Sequence, residues 1–324
     1  MVRTALITGV TGQDGSYLAE YITSLPDYRV IGITRSSTKV LSPRFSPLIM
    51  ISNPALTDPL HPDAEKTWKD ILIQYHVDEV YHLASQTCKV KSLSEPLATI
   101  LNTGYWTCLI LEAIRSVVHS THHPIRFFHA SSSEIFGYGL AQHPQIETSP
   151  HQALSPYAVA KLTSFHAVQF YRHVHNLFAV SGILYNHESP RRGDHFVTSK
   201  IVRGVVDILH GKTTSLELGS LEVKRDWSDA RDFVRGMHLT LTAPHPADYI
   251  FSSGKQHSVA EFCQIAFARV GLNYLDHVRF NPEWIRPNEL TQIVGDPSLL
   301  TDLAWSPQYS FEQMIHHMVD QALQ

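Results

Sequence analysis

A single carboxylate, Glu134, follows three serines at the end of an apolar run in "FFHASSSEIFGYG", Phe127 to Gly139. A lone acid at the mouth of a buried strand is an odd cargo, and a carboxylate capping the next helix is its plainest reading. Further on, "SPYAVAK" sets Tyr157 and Lys161 four residues apart, on one face of a helix. An ammonium beside a phenol favours the phenolate and lowers its pKa from about 10, so that tyrosine acts as a base near neutral pH. Taken alone, this motif leaves a second reading open, a packed Tyr beside a solvated Lys. Near the N-terminus, "ITGVTGQDGSYLAEYI" places Gly9, Gly12 and Gly15 directly after an apolar run and ahead of an amphipathic one. Such glycines permit a tight turn and close backbone approach to a pyrophosphate seated on a helix N-terminus. After the second apolar run Arg35 is followed by Ser36 and Ser37, with no acid. An acid there would hold the ribose 2′-hydroxyl of NAD, whereas Arg suits the 2′-phosphate of NADP, so NADP is expected over NAD.

These groups need elements to position them. Nearly continuous apolar runs at Thr4–Thr8, Arg29–Ile33, Glu79–Ala84, Ile125–Ala130 and Phe178–Tyr185 read as strands. Amphipathic stretches Ser16–Leu25, Thr99–Val118 and Tyr157–His175 read as the helices between them. Strands of that kind, spaced by helices, predict an α/β fold: a Rossmann-type doubly wound parallel sheet whose ligands collect at the carboxyl ends of the strands. After Asn186 the alternation weakens, and "SVAE", Ser258 to Glu261, is a capping box opening a helix toward Val270. The expected division is a dinucleotide-binding domain over 1–185 and a smaller C-terminal substrate-binding domain over 186–324. Residues 225–255 are expected to return to the first domain.

Composition narrows the function. The chain has 324 residues, 43% of them hydrophobic and 17% charged, with a formal net charge of −4, so no basic field invites nucleic acid. Three cysteines, Cys88, Cys108 and Cys263, with no C-x-x-C, fit a reducing compartment. The 21 histidines are scattered, and His122-His123 and His316-His317 read as solvated pairs rather than metal ligands. No metal is expected. "MVRTALITG" has neither the apolar core of a signal peptide nor the roughly 18 residues of a membrane span, which makes a cytoplasmic protein without a membrane partner the expectation.

Together the glycine loop, the serines and Y-x-x-x-K resemble the extended short-chain dehydrogenase/reductase family. More narrowly, "ALITGVTGQDGSYLAEY", "ASSSEIFG", "SPYAVAKL", "GILYNHESPRRG", "FVTSKI", "LGSLEVKRDWSDARDFV", "GKQHSVAEF" and "RPNEL…GDPS" are similar to GDP-mannose 4,6-dehydratases, and they span most of the chain. That resemblance implies a hydro-lyase performing redox-neutral dehydration of a nucleotide-linked hexose to a 4-keto-6-deoxy sugar. Oxidising C4 makes the C5 hydrogen acidic, which gives Glu134 its task. Tyr157 is implied to take the C4 hydroxyl proton, Lys161 to support it, and Ser132 to hydrogen-bond the C4 oxygen. Ser133 precedes Glu134 where thymidine-linked glucose dehydratases carry Asp-Glu.

By the same residue-by-residue transfer, Gly9, Thr11, Gly12, Gln13, Asp14, Gly15, Arg35, Leu83, Ala84, Lys161, His187 and Arg192 are implied to hold the cofactor. Ser85, Asn186, Arg191, Lys200, Arg225, Arg286 and Glu289 are implied to face the GDP-sugar, whose two phosphates call for Arg and Lys. Asp226 and Trp227 are read as structural. The chain departs from the family pattern in two places. Ser36 follows Arg35 where the family has a second arginine, ahead of a short Thr38–Ser52 segment, and Ala55 stands in the Asp position of a Gly-Asp-Leu turn. The short segment speaks against the tetramer usual in the family, so a homodimer formed through Thr99–Val118 and Tyr157–His175 is expected. A reductase or epimerase of a GDP-linked 4-keto sugar and an idle nucleotide-binding sensor remain the alternatives.

Overall fold

The computed structural model describes residues 2–35, 48–87, 89–137, 144–284 and 293–324. Seven parallel strands form its central sheet: β1 Arg3–Thr8, β2 Tyr28–Ile33, β3 Ile49–Ile51, β4 Glu79–His82, β5 Arg126–Ala130, β6 Phe178–Leu184 and β7 Asp248–Phe251. Their order is β7-β6-β5-β4-β1-β2-β3. Winding proceeds outward in both directions from the β1–β4 neighbours, which opens a crevice at the carboxyl ends of those strands.

Apolar residues occupy both sides of each strand because both faces are covered. Leu6, Ile31, Val80, Phe127 and Ala179 pack with Trp68 of the helix Ala64–Gln74 and with Ile110 and Ile114 of α2, Trp106–Thr121. Val168 of α3, Pro156–His175, joins this layer. On the other face Ile7, Val30, Phe128 and Val180 meet Leu18 and Ile22 of α1, Gln13–Ser24, and Phe233 and Met237 of α4, Ala230–Thr242. The residues Pro96–Thr121 are apolar enough to cross a membrane, yet just over half of that run is buried within the protein. Its apolarity belongs largely to the core.

Local chemistry sets the helix ends. Ser155 Oγ accepts from the Ala158 amide at 3.1 Å, Pro156 occupies the first turn of α3, and Asn176 closes it at φ 53°. The capping box forms as expected, with Glu261 N donating to Ser258 Oγ at 3.1 Å and Ser258 N donating to Glu261 Oε2 at 2.6 Å. Its helix ends at Ala268, short of Val270.

A separate core serves the C-terminal part. Ile201 and Val205 of the helix Val197–Leu209 pack with Phe262 and Phe267 of Val259–Ala268 and with Met314 and Met318 of Phe311–Ala322. Short strands stitch this part to the sheet region: Asn186–Glu188 runs parallel to Trp227–Asp229, and Lys224–Arg225 antiparallel to His257–Ser258. Asp226 is buried and accepts from Ser253 N and Oγ, each at 2.7 Å, and from Gly254 N at 2.9 Å. Trp227 stacks on Phe311 with ring centroids 5.8 Å apart.

Three details differ from the sequence expectations. The fourth strand stops at His82, because Leu83 and Ala84 turn to meet the glycine loop. The stretch expected to be one helix from Thr99 is a short helix Pro96–Ile100, a wide turn over Leu101–Tyr105, and then α2. The strand β3 and the helix Ala64–Gln74 were not anticipated.

Phe128 is fully buried between the rings of Tyr81 and Phe251, at centroid distances of 6.3 and 5.9 Å. Phe128→Ala is expected to lower unfolding stability by about 3–5 kcal/mol in urea titrations. Leu275→Ala, at a largely exposed position, should change it by less than about 0.5 kcal/mol.

Candidate active site

The glycine loop is built by contacts that exclude side chains. Gly9 has φ +69°, and a Cβ on it would stand 2.9 Å from Ala84 N, where the turn after β4 presses against it. A Cβ on Gly15 would stand 2.3 Å from Gly9 O. Ala84 N in turn donates to Thr8 Oγ1 at 3.1 Å, which fixes the Leu83–Ala84–Ser85 turn beside the loop. Residue Gly12 caps α1 without any side chain over the first-turn amides. An uncapped helix start behind a glycine turn suits the diphosphate of a dinucleotide, and this cradle fits one. Thr11 lies half-buried in the loop and Arg35 is exposed just past β2.

Gln13 and Asp14 face the second half of the chain. Asp14 Oδ2 lies 2.9 Å from His187 Nε2, and His187 Nδ1 lies 2.8 Å from the Tyr185 carbonyl. Gln13 Nε2 donates to Asp14 Oδ1 at 2.9 Å and to the His187 carbonyl at 3.1 Å, while Ser189 Oγ donates to Gln13 Oε1 at 2.8 Å. Burial opposes the charge of Asp14, but the His187 imidazole and hydrogen bonds from His187 and Gln13 outweigh it and hold the acid down at about 2. Arg192 pairs with buried Glu188 at 3.1 Å, off line for a hydrogen bond, and lies 3.5 Å over the Phe196 ring.

The catalytic candidates converge where β5 ends and α3 begins. Ser132 caps the turn Ser133–Phe136, its Oγ accepting from Glu134 N at 3.3 Å. Gly137 ends that turn at φ +63°, and a Cβ there would lie 2.0 Å from the Gln152 carbonyl, so glycine is required. The Tyr157 phenol faces Ser132, which favours its charged form, and feels Glu134 and Arg192 electrostatically. Buried Lys161 donates from Nζ to the Ala130 carbonyl at 2.6 Å, with Nζ 5.8 Å from the Tyr157 ring centroid. The structure therefore brings Ser132, Glu134, Tyr157 and Lys161 into one site.

One electrostatic expectation is corrected. Burial pushes the Tyr157 phenol up to about 12 rather than down, with Ser132 opposing the shift, and burial pulls Lys161 down to about 7. Desolvation penalises both charged forms, and for the phenol it outweighs the opposing effects of Ser132 and Arg192.

The substrate-side candidates are dispersed. Asn186 is half-buried beside His187. Arg191 is engaged by α1: its guanidinium donates to Ser16 Oγ at 3.0 Å and to both Glu20 oxygens at 2.8 Å, and lies 3.6 Å over the Tyr17 ring. The neighbouring Arg192 acts on Tyr157 instead. The Lys200 ammonium sits 3.1 Å over the half-exposed Trp284 ring, and Arg225 donates to the Lys224 carbonyl at 2.8 Å. Arg286 and Glu289, and most of Thr38–Ser52, lie outside the described residues. Ala55 is buried in a short turn capped by Asn53, whose side chain accepts from Ala55 N at 3.0 Å.

Sequence reading missed a row of buried polar groups beneath the site. Thr8, His82, His129 and Ser181 are register partners across β1, β4, β5 and β6, and Thr8 Oγ1 bonds His82 Nδ1 at 2.9 Å. Polar residues standing inside otherwise apolar strands are the signal that marks them.

A family model described as GDP-mannose 4,6 dehydratase matches residues 6–318. The chain is 38% identical to GDP-mannose 4,6 dehydratase 1 of Arabidopsis thaliana, covering 99% of this chain and 90% of that protein. It is 37% identical to GDP-mannose 4,6 dehydratase of Drosophila melanogaster, over 98% of this chain and 85% of the other. Among solved structures, RMD from Pseudomonas aeruginosa complexed with NADPH superposes with a TM-score of 0.82 at 20% identity, covering 99% of each chain. UDP-glucose 4-epimerase from Thermotoga maritima, with UDP-glucose, gives 0.83 at 18% identity over 99% of this chain and 100% of that one. At such identities the structural likeness is one of fold. The sequence likeness reaches further, and the chain belongs to the GDP-mannose 4,6 dehydratase family.

Proposed function

We propose that the chain dehydrates GDP-mannose to GDP-4-keto-6-deoxymannose, using NADP without net redox change. The observation that carries this reading is Tyr157 standing within electrostatic reach of Ser132 and Glu134, on the helix whose Lys161 is fixed to the Ala130 carbonyl beside the same turn. A simple reductase needs the tyrosine and lysine; an added carboxylate at that point suits elimination of water. NADP is supported by Arg35 at the end of β2, where no acid stands.

When bound, an oxidised nicotinamide would take the hydride from C4 and give it back at C6 once water has left, and its ring would carry a positive charge beforehand. Gly9, Gly12 and Gly15 with the start of α1 would hold its dinucleotide. Tyr157 takes the C4 hydroxyl proton, assisted by the neighbouring Ser132, as C4 becomes a ketone. The ketone acidifies the C5 hydrogen, and Glu134 removes that proton and delivers it to the C6 hydroxyl, which leaves as water. Tyr157 returns its proton to C5, so the protein ends the cycle as it began. Asn186, Lys200 and Arg225 are the described candidates for the GDP portion. A base sitting at about 12 in the protein alone requires added positive charge nearby before it works at neutral pH.

We also infer a homodimer. Leu97, Tyr105, Phe170 and Val174 are apolar and largely exposed on the Pro96–Thr121 run and on α3, which pack against each other.

With GDP-mannose and NADP, the purified chain is expected to form a 4-keto product, identified by mass spectrometry, with no change in NADPH absorbance. Steady NADPH consumption on a GDP-linked 4-keto sugar would instead identify a reductase. Glu134→Gln should slow product formation by about 10²–10⁴-fold and halt at C4 oxidation. Wild-type turnover in that variant would sink the elimination role. In light scattering, Phe170→Asp combined with Leu97→Asp should convert a dimer to a monomer; a monomeric wild-type chain would refute the dimer.

A further inference from the structure

Asp14 occupies the first turn of α1, where the helix presents its amides to an anion. A second negative charge there would oppose a diphosphate arriving at the same turn. The ring of His187 is placed to cancel it. His187 Nδ1 faces the Tyr185 carbonyl at 2.8 Å and Nε2 faces the Asp14 carboxylate at 2.9 Å. Both partners are acceptors, so both ring nitrogens must carry hydrogen, which only the imidazolium form allows. The ring is buried and leans on Phe233 of α4 at a centroid distance of 4.6 Å. Around it stand Arg192, which opposes the ring's charge, and Glu188, the partner of Arg192. Lys161 acts on Asp14 from α3.

Resting on the dinucleotide reading above, we propose that His187 is a cationic positioning residue. It neutralises Asp14, ties the glycine loop to the strand Asn186–Glu188, and makes cofactor affinity fall as it loses its proton. The direction follows from linkage. Despite burial, the attraction of Asp14 and its hydrogen bond raise His187 above its ordinary 6.5. The clamp's full contribution is therefore present below the ordinary 6.5 and is lost as pH climbs through the raised value. On the acid side Asp14, held down at about 2, keeps its charge through the ordinary carboxylate range.

The test uses the full chain with histidine-labelled NMR, the His187 signals being assigned by their loss in His187→Gln. The ring is expected to remain imidazolium at about pH 7 and to titrate above the ordinary histidine value. Asp14→Asn should return that titration toward the ordinary value. In parallel, the dissociation constant for oxidised NADP, followed by fluorescence quenching, should rise about tenfold between about pH 6 and about pH 9 in wild type. The rise should be clearly smaller over this range in Asp14→Asn and in the Asp14→Asn/His187→Gln pair, where only other groups such as Lys161 titrate. A neutral His187 at about pH 7, or equal pH slopes in wild type and Asp14→Asn, would overturn the proposal. Neither readout involves GDP-mannose, so a failure of turnover leaves this clamp standing, and a failed clamp leaves the dehydration untouched.

Discussion

The site depends on one bond, from Lys161 Nζ to the carbonyl of Ala130. It fastens α3 to the last residue of β5, and the next residues of the chain are Ser131 to Glu134. Tyr157 lies one helical turn before Lys161, so the same bond sets the phenol's height above the strand end. Ser132, capping the next turn with its Oγ accepting from Glu134 N, stands on the same side as the phenol. Two motifs separated in sequence thus become one site through a buried ammonium and a backbone oxygen. Losing that bond would free the helix start and the serine turn together.

Much of this arrangement could be read from residue types and spacing. Apolar strands, the glycine turn and the helical interval from Tyr157 to Lys161 each have a local physical signature, and each forms where that signature placed it. The strand β3 was illegible because three residues cannot show a period. Helix Ala64–Gln74 carries its buried residues at Ala64, Trp68, Ile71 and Leu72, a helical spacing that polar neighbours diluted. The charge states were beyond sequence reading for a different reason. Spacing shows that a lysine and a tyrosine share a face, but not how much water each loses. Desolvation decides here, raising one group and lowering the other. Arg191 and Arg192 make the same point: adjacent guanidinium groups take unrelated partners, Glu20 and Glu188, and only three-dimensional position separates them.

The buried charges follow an alternating pattern. Asp14 is flanked by His187, Arg192 and Lys161, while Glu188 answers Arg192 and accepts from Thr198 Oγ1 at 2.6 Å. A buried pair gives little net stability compared with apolar packing, but removing one member leaves its partner uncompensated. The arrangement therefore acts more as a specification of geometry than as a source of stability. It requires the glycine loop, the strand Asn186–Glu188 and the loop carrying Arg192 to be present in one relative placement.

Beneath these charges the sheet presents dipoles. Thr8, His82, His129 and Ser181 lie side by side across four strands, and burial holds His82 down at about 3 and His129 well below its ordinary range, so both stay neutral. Lys161 lowers both further, which is the reciprocal of what a charged ring would do to Lys161. A cation in that row would push an ammonium already near 7 toward the neutral amine. An acid there would pair with the ammonium and could draw it from the Ala130 carbonyl. Neutral polar groups avoid both outcomes, at the cost of leaving both ring nitrogens of His129 without a hydrogen-bond partner among the described residues. That cost is sited directly beside the residue whose position the serine turn depends on, which is where an otherwise apolar sheet has reason to bear it.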